Sequence, residues 1–185
     1  MKIRAFIALE INPNAPLRKV IRQFNEMGTS INATDPESLH LTLKFLGDIQ
    51  TDLLPEISSR LEKIASSCPS MELRLEKTGV FPDLFRPAVC WAGLNPLDEK
   101  ALIELAGQID LSLSEIGLSI EKRPFHPHVT LARIKRKPPE SFFELFDEKV
   151  EFKWGQLICE ELYLFQSEQI ENRYVHTKIA SFPLN

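Results

Sequence analysis

Two short motifs contain the residue types best suited to chemistry. In "SLHLTLKFLGD", His40 and Thr42 fall on one parity of an alternating stretch, and "HPHVTLARI" contains the same pair as His128 and Thr130. Strand alternation would place the histidine and threonine of each motif on one face. Near neutral pH one imidazole can be a general base and another a general acid, while hydroxyls donate hydrogen bonds to an anion. This combination predicts an in-line displacement at phosphorus that needs no metal.

The two motifs are separated by 88 residues, and the elements around them repeat with the same offset. A single His-x-Thr is a weak signal, whereas two in register with an internal repeat are a strong one. The first half reads as strand, helix, strand, helix, strand over 2–10, 15–27, 39–46, 53–64 and 71–77. The second half repeats this order over 88–94, 97–116, 128–134, 139–147 and 158–165, with a last strand near 173–180. The repeat predicts two related lobes whose motif faces meet across a cleft.

Alternation also predicts which side chains of each motif strand are buried. Leu39, Leu41, Leu43 and Phe45 share the packed parity, Lys44 falls on the open one with His40 and Thr42, and Gly47 breaks the pattern. In the second motif strict alternation puts Arg133 on the face opposite His128 and Thr130. Arg133 can contact a phosphate there only if the strand twists, bulges or ends first.

Composition limits the classes of protein. The 185 residues, 43% of them hydrophobic, suit one substantial core or two small lobes that share one. No apolar run approaches the roughly 18 residues that span a bilayer, and "MKIRAFIALEI" is a poor signal peptide, so we expect a cytoplasmic protein with no membrane partner. Cys68, Cys90 and Cys159 form no C-x-x-C and are expected to be buried, reduced thiols.

The net charge and its distribution along the chain lead to different interpretations. A net charge of −4 argues against a general nucleic-acid coat, yet 122–137 contains six basic residues and no acid. That run is either a solvated surface or a local site for phosphates.

The remaining histidines and aromatic residues have structural interpretations. His126 and His176 are expected to be structural histidines, and Phe125 and Trp91 to be core residues rather than stacking platforms for a base. His126 and His128 have the spacing of strand metal ligands, but Pro127 disturbs the strand and no third ligand is evident. We therefore expect neither a metal nor a cofactor.

Together, "LHLTLKFLGD" and "RPFHPHVTLAR" resemble the paired H-x-T-x motifs of the two-histidine (2H) phosphoesterase superfamily. The likeness is specifically to its RNA 2′,3′-cyclic phosphodiesterase branch, also described as RNA 2′–5′ ligases. It extends over "RAFIALEI", the link "GVFPDLFRPAVCWAGL" and both motifs in order, which is nearly the whole chain.

The resemblance implies an α+β fold: a single bilobal domain, 1–185, with duplicated β-α-β-α-β halves at about 1–83 and 84–185 and two antiparallel sheets facing each other across a central cleft. It implies hydrolysis of a 2′,3′-cyclic phosphate, at an RNA end or in a small cyclic nucleotide, to a 2′-phosphate. By position His40 matches the proton donor, His128 the proton acceptor, and Thr42 and Thr130 the phosphate-binding residues, with Arg133 a further candidate.

Two alternatives remain open at this point. A catalyst that opens a cyclic phosphate with water can admit a ribose hydroxyl instead, so 2′–5′ RNA ligation is a second enzymatic reading. The same cleft could also bind RNA ends without catalysis. Product formation would distinguish an enzyme from a binding module, and we expect a monomer in each case.

Overall fold

The protein is an α+β fold of four helices and two antiparallel sheets. The computed structural model describes residues 1–171 and 173–185. The helices are α1 (Ala15–Glu26), α2 (Leu54–Ser67), α3 (Pro96–Ser114) and α4 (Glu140–Lys149). The strands are β1 (Lys2–Glu10), β2 (Ile31–Ala33), β3 (His40–Gln50), β4 (Met71–Phe81), β5 (Val89–Leu94), β6 (Val129–Ile134), β7 (Lys153–Cys159), β8 (Glu161–Ile170) and β9 (Arg173–Pro183). No helix in the described ranges is long and apolar enough to cross a membrane.

The sheets do not coincide with the two halves of the sequence. The strand order is β3-β1-β8-β9 in the first sheet and β2-β6-β5-β4-β7 in the second. Strand β4, from the first half, therefore pairs with β5 and β7 of the second half, while β8 completes the sheet built on β1. Each half contributes strands to both sheets.

Two of the helices, α1 and α3, are exchanged between the sheets as well. Helix α1 packs on β2 and β6 of the second sheet, whereas α3 packs on β3 of the first. Apolar side chains from the helices and from both sheets form one continuous core. A separate small cluster of Phe6, Ala8 and Phe165 lies on the opposite face of the first sheet, which is therefore the face open to the cleft.

Several predicted elements are confirmed, two are corrected and one strand is additional. The strand predicted at 39–46 continues through Gly47 to Gln50, because Gly47 adopts a positive φ of 69° within the strand instead of ending it. The apolar run at 158–165 is two strands in different sheets, since β7 ends at Cys159 and β8 begins at Glu161. The short edge strand β2 was not predicted.

Candidate active site

The first motif lies at the start of β3, where His40 is the first residue of the strand. The Nδ1–H of His40 donates to the carbonyl oxygen of Ser38, at 2.8 Å. Because a carbonyl oxygen can only accept, this bond places a proton on Nδ1. The His40 ring also packs against Phe6, with 5.1 Å between ring centroids. These two contacts fix the ring and leave Nε2 for chemistry.

The second motif repeats this arrangement on the other sheet. His128 immediately precedes β6, and its Nδ1–H donates to the carbonyl oxygen of His126, at 2.7 Å. Its ring packs edge-on against Phe81, with the centroids 5.1 Å apart. The predicted histidines thus have matching tautomers, matching backbone acceptors two residues earlier and matching aromatic supports.

The surroundings of both histidines lower their pKa. Burial is the main cause for His40 and His128, and the bonds to the carbonyls of Ser38 and His126 oppose it. The charge of Arg133 lowers both pKa values further, and the charges of His126 and of His40 also lower that of His128. The two motif strands, β3 and β6, pack against each other.

A β-bulge at the same position in each motif strand determines which further side chains lie on the face of the motif histidine. In β3, Thr42 pairs with Ala8 and Lys44 with Ile7, so that Leu43 is the extra residue. Alternation resumes out of phase after such a bulge. The prediction for the next two residues was therefore wrong: Lys44 is buried at 7% exposure, and Phe45 is 68% exposed on the face of His40 and Thr42.

The bulge in β6 has the same effect on Arg133. Thr130 pairs with Trp91 and Ala132 with Cys90, which leaves Leu131 as the extra residue. Leu131 and Ala132 are both fully buried, and Arg133 then emerges on the face of Thr130. The sequence indicated that Arg133 could contact a phosphate only with a twist, bulge or strand end, and a bulge is present. The placement of Arg133 expected from strict alternation was therefore wrong. Arg133 and Phe45 are separated by the same 88 residues as the two histidines.

The floor of the cleft beneath the second motif is aromatic. Trp91, buried at 8% exposure, lies so close to Gly79 that a Cβ atom there would stand 2.1 Å from a carbon of its ring. His126 packs on Trp91 and on Phe81, with centroid distances of 5.2 and 5.4 Å. Trp91 is buried as expected but lies outside the continuous core, against His126 and His128, whereas Phe125 packs against the core as predicted.

One histidine that sequence reasoning set aside lies in the cleft. The ring of His176, on β9, stands 5.3 Å from that of His40 and nearly perpendicular to it. Neither motif nor repeat indicated this position, because the residue 88 places earlier is Ala88.

Within the described ranges, no group of three or more side chains could hold a metal ion. Cys68, Cys90 and Cys159 are free thiols, as expected, but only Cys90 and Cys159 are buried, whereas Cys68 is partly exposed. Burial raises the pKa of Cys90 and Cys159 to about 12, so these two thiols are unreactive. The two motifs offer two imidazoles, two hydroxyls and a guanidinium on or next to β3 and β6, two strands that contact each other.

Comparison with known proteins gives a consistent result. Residues 9–91 and 94–176 each match the family described as LigT like Phosphoesterase. A Methanocaldococcus jannaschii protein named RNA 2′,3′-cyclic phosphodiesterase is 32% identical over 97% of this chain and all of its own length. An Archaeoglobus fulgidus protein of the same name is 29% identical over 75% of this chain and 76% of its own. The crystal structure of E. coli LigT complexed with 3′-AMP has a TM-score of 0.75 at 24% identity, covering 100% of this chain and 99% of that one.

Proposed function

Because this chain belongs to the LigT-like phosphoesterase family of the 2H superfamily, we propose that it hydrolyses 2′,3′-cyclic phosphates to 2′-phosphates. The substrate is an RNA with a cyclic phosphate end or a small cyclic nucleotide. Relatives named RNA 2′,3′-cyclic phosphodiesterase support this substrate class. The observation that carries the proposal is the pair of histidines in matching environments, each with Nδ1–H bonded to a backbone carbonyl.

Each imidazole has one nitrogen left for proton transfer. Nε2 of His128 takes a proton from water as the water oxygen attacks phosphorus. The bond from phosphorus to the 3′ oxygen breaks, and Nε2–H of protonated His40 gives that oxygen its proton. The product is a 2′-phosphate with a free 3′ hydroxyl, and exchange with solvent returns both histidines to their starting states.

The hydroxyls and the guanidinium stabilise the negative charge that gathers on the phosphoryl oxygens. Thr42 and Thr130 donate from the faces they share with the histidines, and Arg133 adds a positive charge at the same place. Because burial, and then the charge of Arg133, lowers the pKa of His40, His40 needs compensation to remain protonated. The negative phosphate supplies it by raising the pKa of His40 on binding.

Phe45 and Arg133 occupy equivalent positions five residues after each motif histidine. Phe45 is exposed and stands 6.0 Å from Phe6, centroid to centroid. Because aromatic rings stack on nucleobases, Phe45 is suited to hold the base of the terminal nucleotide, while Arg133 and the threonines hold its phosphate.

The test is incubation with 2′,3′-cyclic AMP and with an oligonucleotide that ends in a cyclic phosphate, followed by ³¹P NMR of the products. We expect 2′-phosphates, formed at the same rate with and without EDTA, because the imidazoles leave no step for a metal. A 3′-phosphate product, or activity that EDTA abolishes and zinc or manganese restores, would contradict the mechanism. RNA affinity without any product would indicate a binding module instead.

A further inference from the structure

The ring of His176 contacts the first motif, although its strand lies at the opposite edge of the same sheet. Its strand β9 is separated from β3 by β1 and β8, so the backbones of β9 and β3 lie about 14 Å apart at the usual strand spacing. A register shift between Leu164 and Phe165 marks a bulge in the β8–β9 hairpin. Bulges bend and twist a strand, and in the part of the hairpin beyond this bulge the His176 ring stands against that of His40.

Three rings meet at this point. The His176 ring stands edge-on to Phe6, with a centroid distance of 4.9 Å and an angle of 79°. It is also nearly perpendicular to His40, at 5.3 Å and 86°, and Phe6 itself packs on His40. His40 is thus held on one side by the Ser38 carbonyl and on another by the rings of Phe6 and His176.

The charges around His176 keep its ring neutral. Burial, and then the positive charges of His40 and of Arg133 from the opposite sheet, lower the pKa of His176 to about 4. Its Nδ1 is buried without a hydrogen-bond partner among the described residues, so protonation there would bury an unpaired donor. On the same face, Glu10 is opposite His40 in β1, but its carboxylate accepts a hydrogen bond from Lys178 of β9 at 2.8 Å.

We propose that His176 is a positioning residue for His40. Its neutral ring closes the buried side of the His40 imidazole against water and fixes the direction of Nε2, without placing a second positive charge beside the proton donor. This assignment rests on the proposed function for its catalytic meaning, whereas the contact and its effect on the titration of His40 can be measured independently of activity.

Three substitutions at His176 separate these effects. His176→Ala admits water and relieves the burial of His40, so the pKa of His40 should rise. His176→Phe keeps the ring and should leave that pKa near its original value. His176→Lys places a charge close to His40 and should lower the pKa further.

The readout is the ¹H–¹³C NMR titration of the His40 ring in labelled protein, with the resonance assigned through His40→Gln. The matched control is His126→Ala, which removes a cleft histidine that packs on Phe81 in the other sheet and should leave the His40 titration in place. In assays with 2′,3′-cyclic AMP, kcat of His176→Ala should fall about tenfold to a hundredfold with little change in KM, because the proton donor is misplaced rather than absent. His176→Phe should restore most of that loss.

An unchanged His40 titration in His176→Ala would overturn the assignment, as would a His176→Phe variant as slow as His176→Ala. A lower melting temperature without a change in the His40 titration would show a purely structural role and would also overturn it. If the unmodified protein opens no cyclic phosphate, the proposed function fails, and the NMR series still decides whether His176 controls His40.

Discussion

Removing each motif histidine separately should have different consequences for different leaving groups. With Nδ1–H of both rings bonded to backbone carbonyls, each ring has a single nitrogen for proton transfer, so His40→Ala or His128→Ala removes one whole step. General acid or base catalysis contributes about 10²- to 10⁴-fold, or about 3 to 5 kcal/mol of barrier. Each variant should lose about that much kcat on 2′,3′-cyclic AMP.

A p-nitrophenyl phosphodiester that fits the cleft distinguishes the two roles. Its nitrophenolate leaves without protonation, whereas a 3′ alkoxide needs a proton. On this substrate His40→Ala should therefore stay within about tenfold of the unmodified protein, while His128→Ala should still be slow because no water is activated. The assay is initial rate by absorbance, with thermal unfolding as the control for folding.

The reverse order of activities would exchange the roles of donor and acceptor. If neither substitution slows either substrate, the two motifs are a structural repeat and the catalytic interpretation is refuted.

Three further predictions concern stability and binding. Lys44, with a side chain 5% exposed, pairs with Asp110, whose side chain is 17% exposed, so Lys44→Met alone should cost about 3 kcal/mol by urea denaturation, and the Lys44→Met/Asp110→Leu double variant should be closer to the original stability. The two motif histidines and His176 have a lowered pKa when folded; the unfolded chain therefore binds more protons below about pH 6.5. Stability should fall as the pH falls from about 6.5 toward 4, seen as a lower urea midpoint at pH 5 than at pH 7, and an equal midpoint would refute this. If the basic run 122–137 contacts RNA, oligonucleotide affinity should fall more steeply with salt than mononucleotide affinity, and equal slopes would assign that run to the solvated surface.

The sequence predicted the placement of the motif residues because each pair lies before its bulge. From His40 to Thr42, and from His128 to Thr130, alternation is uninterrupted, so residue parity gave the correct face. The helices could be predicted equally well from the sequence. Their apolar residues recur at helical spacing, which marks one buried face and leaves the other exposed. Helix α1, predicted at 15–27, spans Ala15–Glu26.

The bulges themselves could not be derived from hydrophobic alternation. Lys44 is buried because Asp110 and the carbonyl of Ser119 accept hydrogen bonds from its ammonium group, a tertiary arrangement that no local pattern reveals. One usable signal existed: applying the 88-residue offset to Phe45 gives Arg133. The repeat therefore contained the information that both residues share a position, although not which face they occupy.

The exchange of β4 and β8 between the sheets also could not be predicted from local sequence patterns. Strand order depends on which backbone edges meet, and the apolar run at 158–165 gives no sign that Cys159 and Glu161 belong to different sheets. His176 was missed for a related reason, since its ring contacts that of His40 although two other strands separate β9 from β3.

Because of this exchange of strands, neither half of the chain can complete its sheets without the other. A fragment ending near residue 83 would retain β1 and β3 but lack β8, leaving the apolar strand β1 with an open edge, and its own β4 would have neither β5 nor β7 to pair with. Such an edge recruits another strand. A cut between the halves would not release two small proteins; it would produce two fragments that are each complete only in complex with the other.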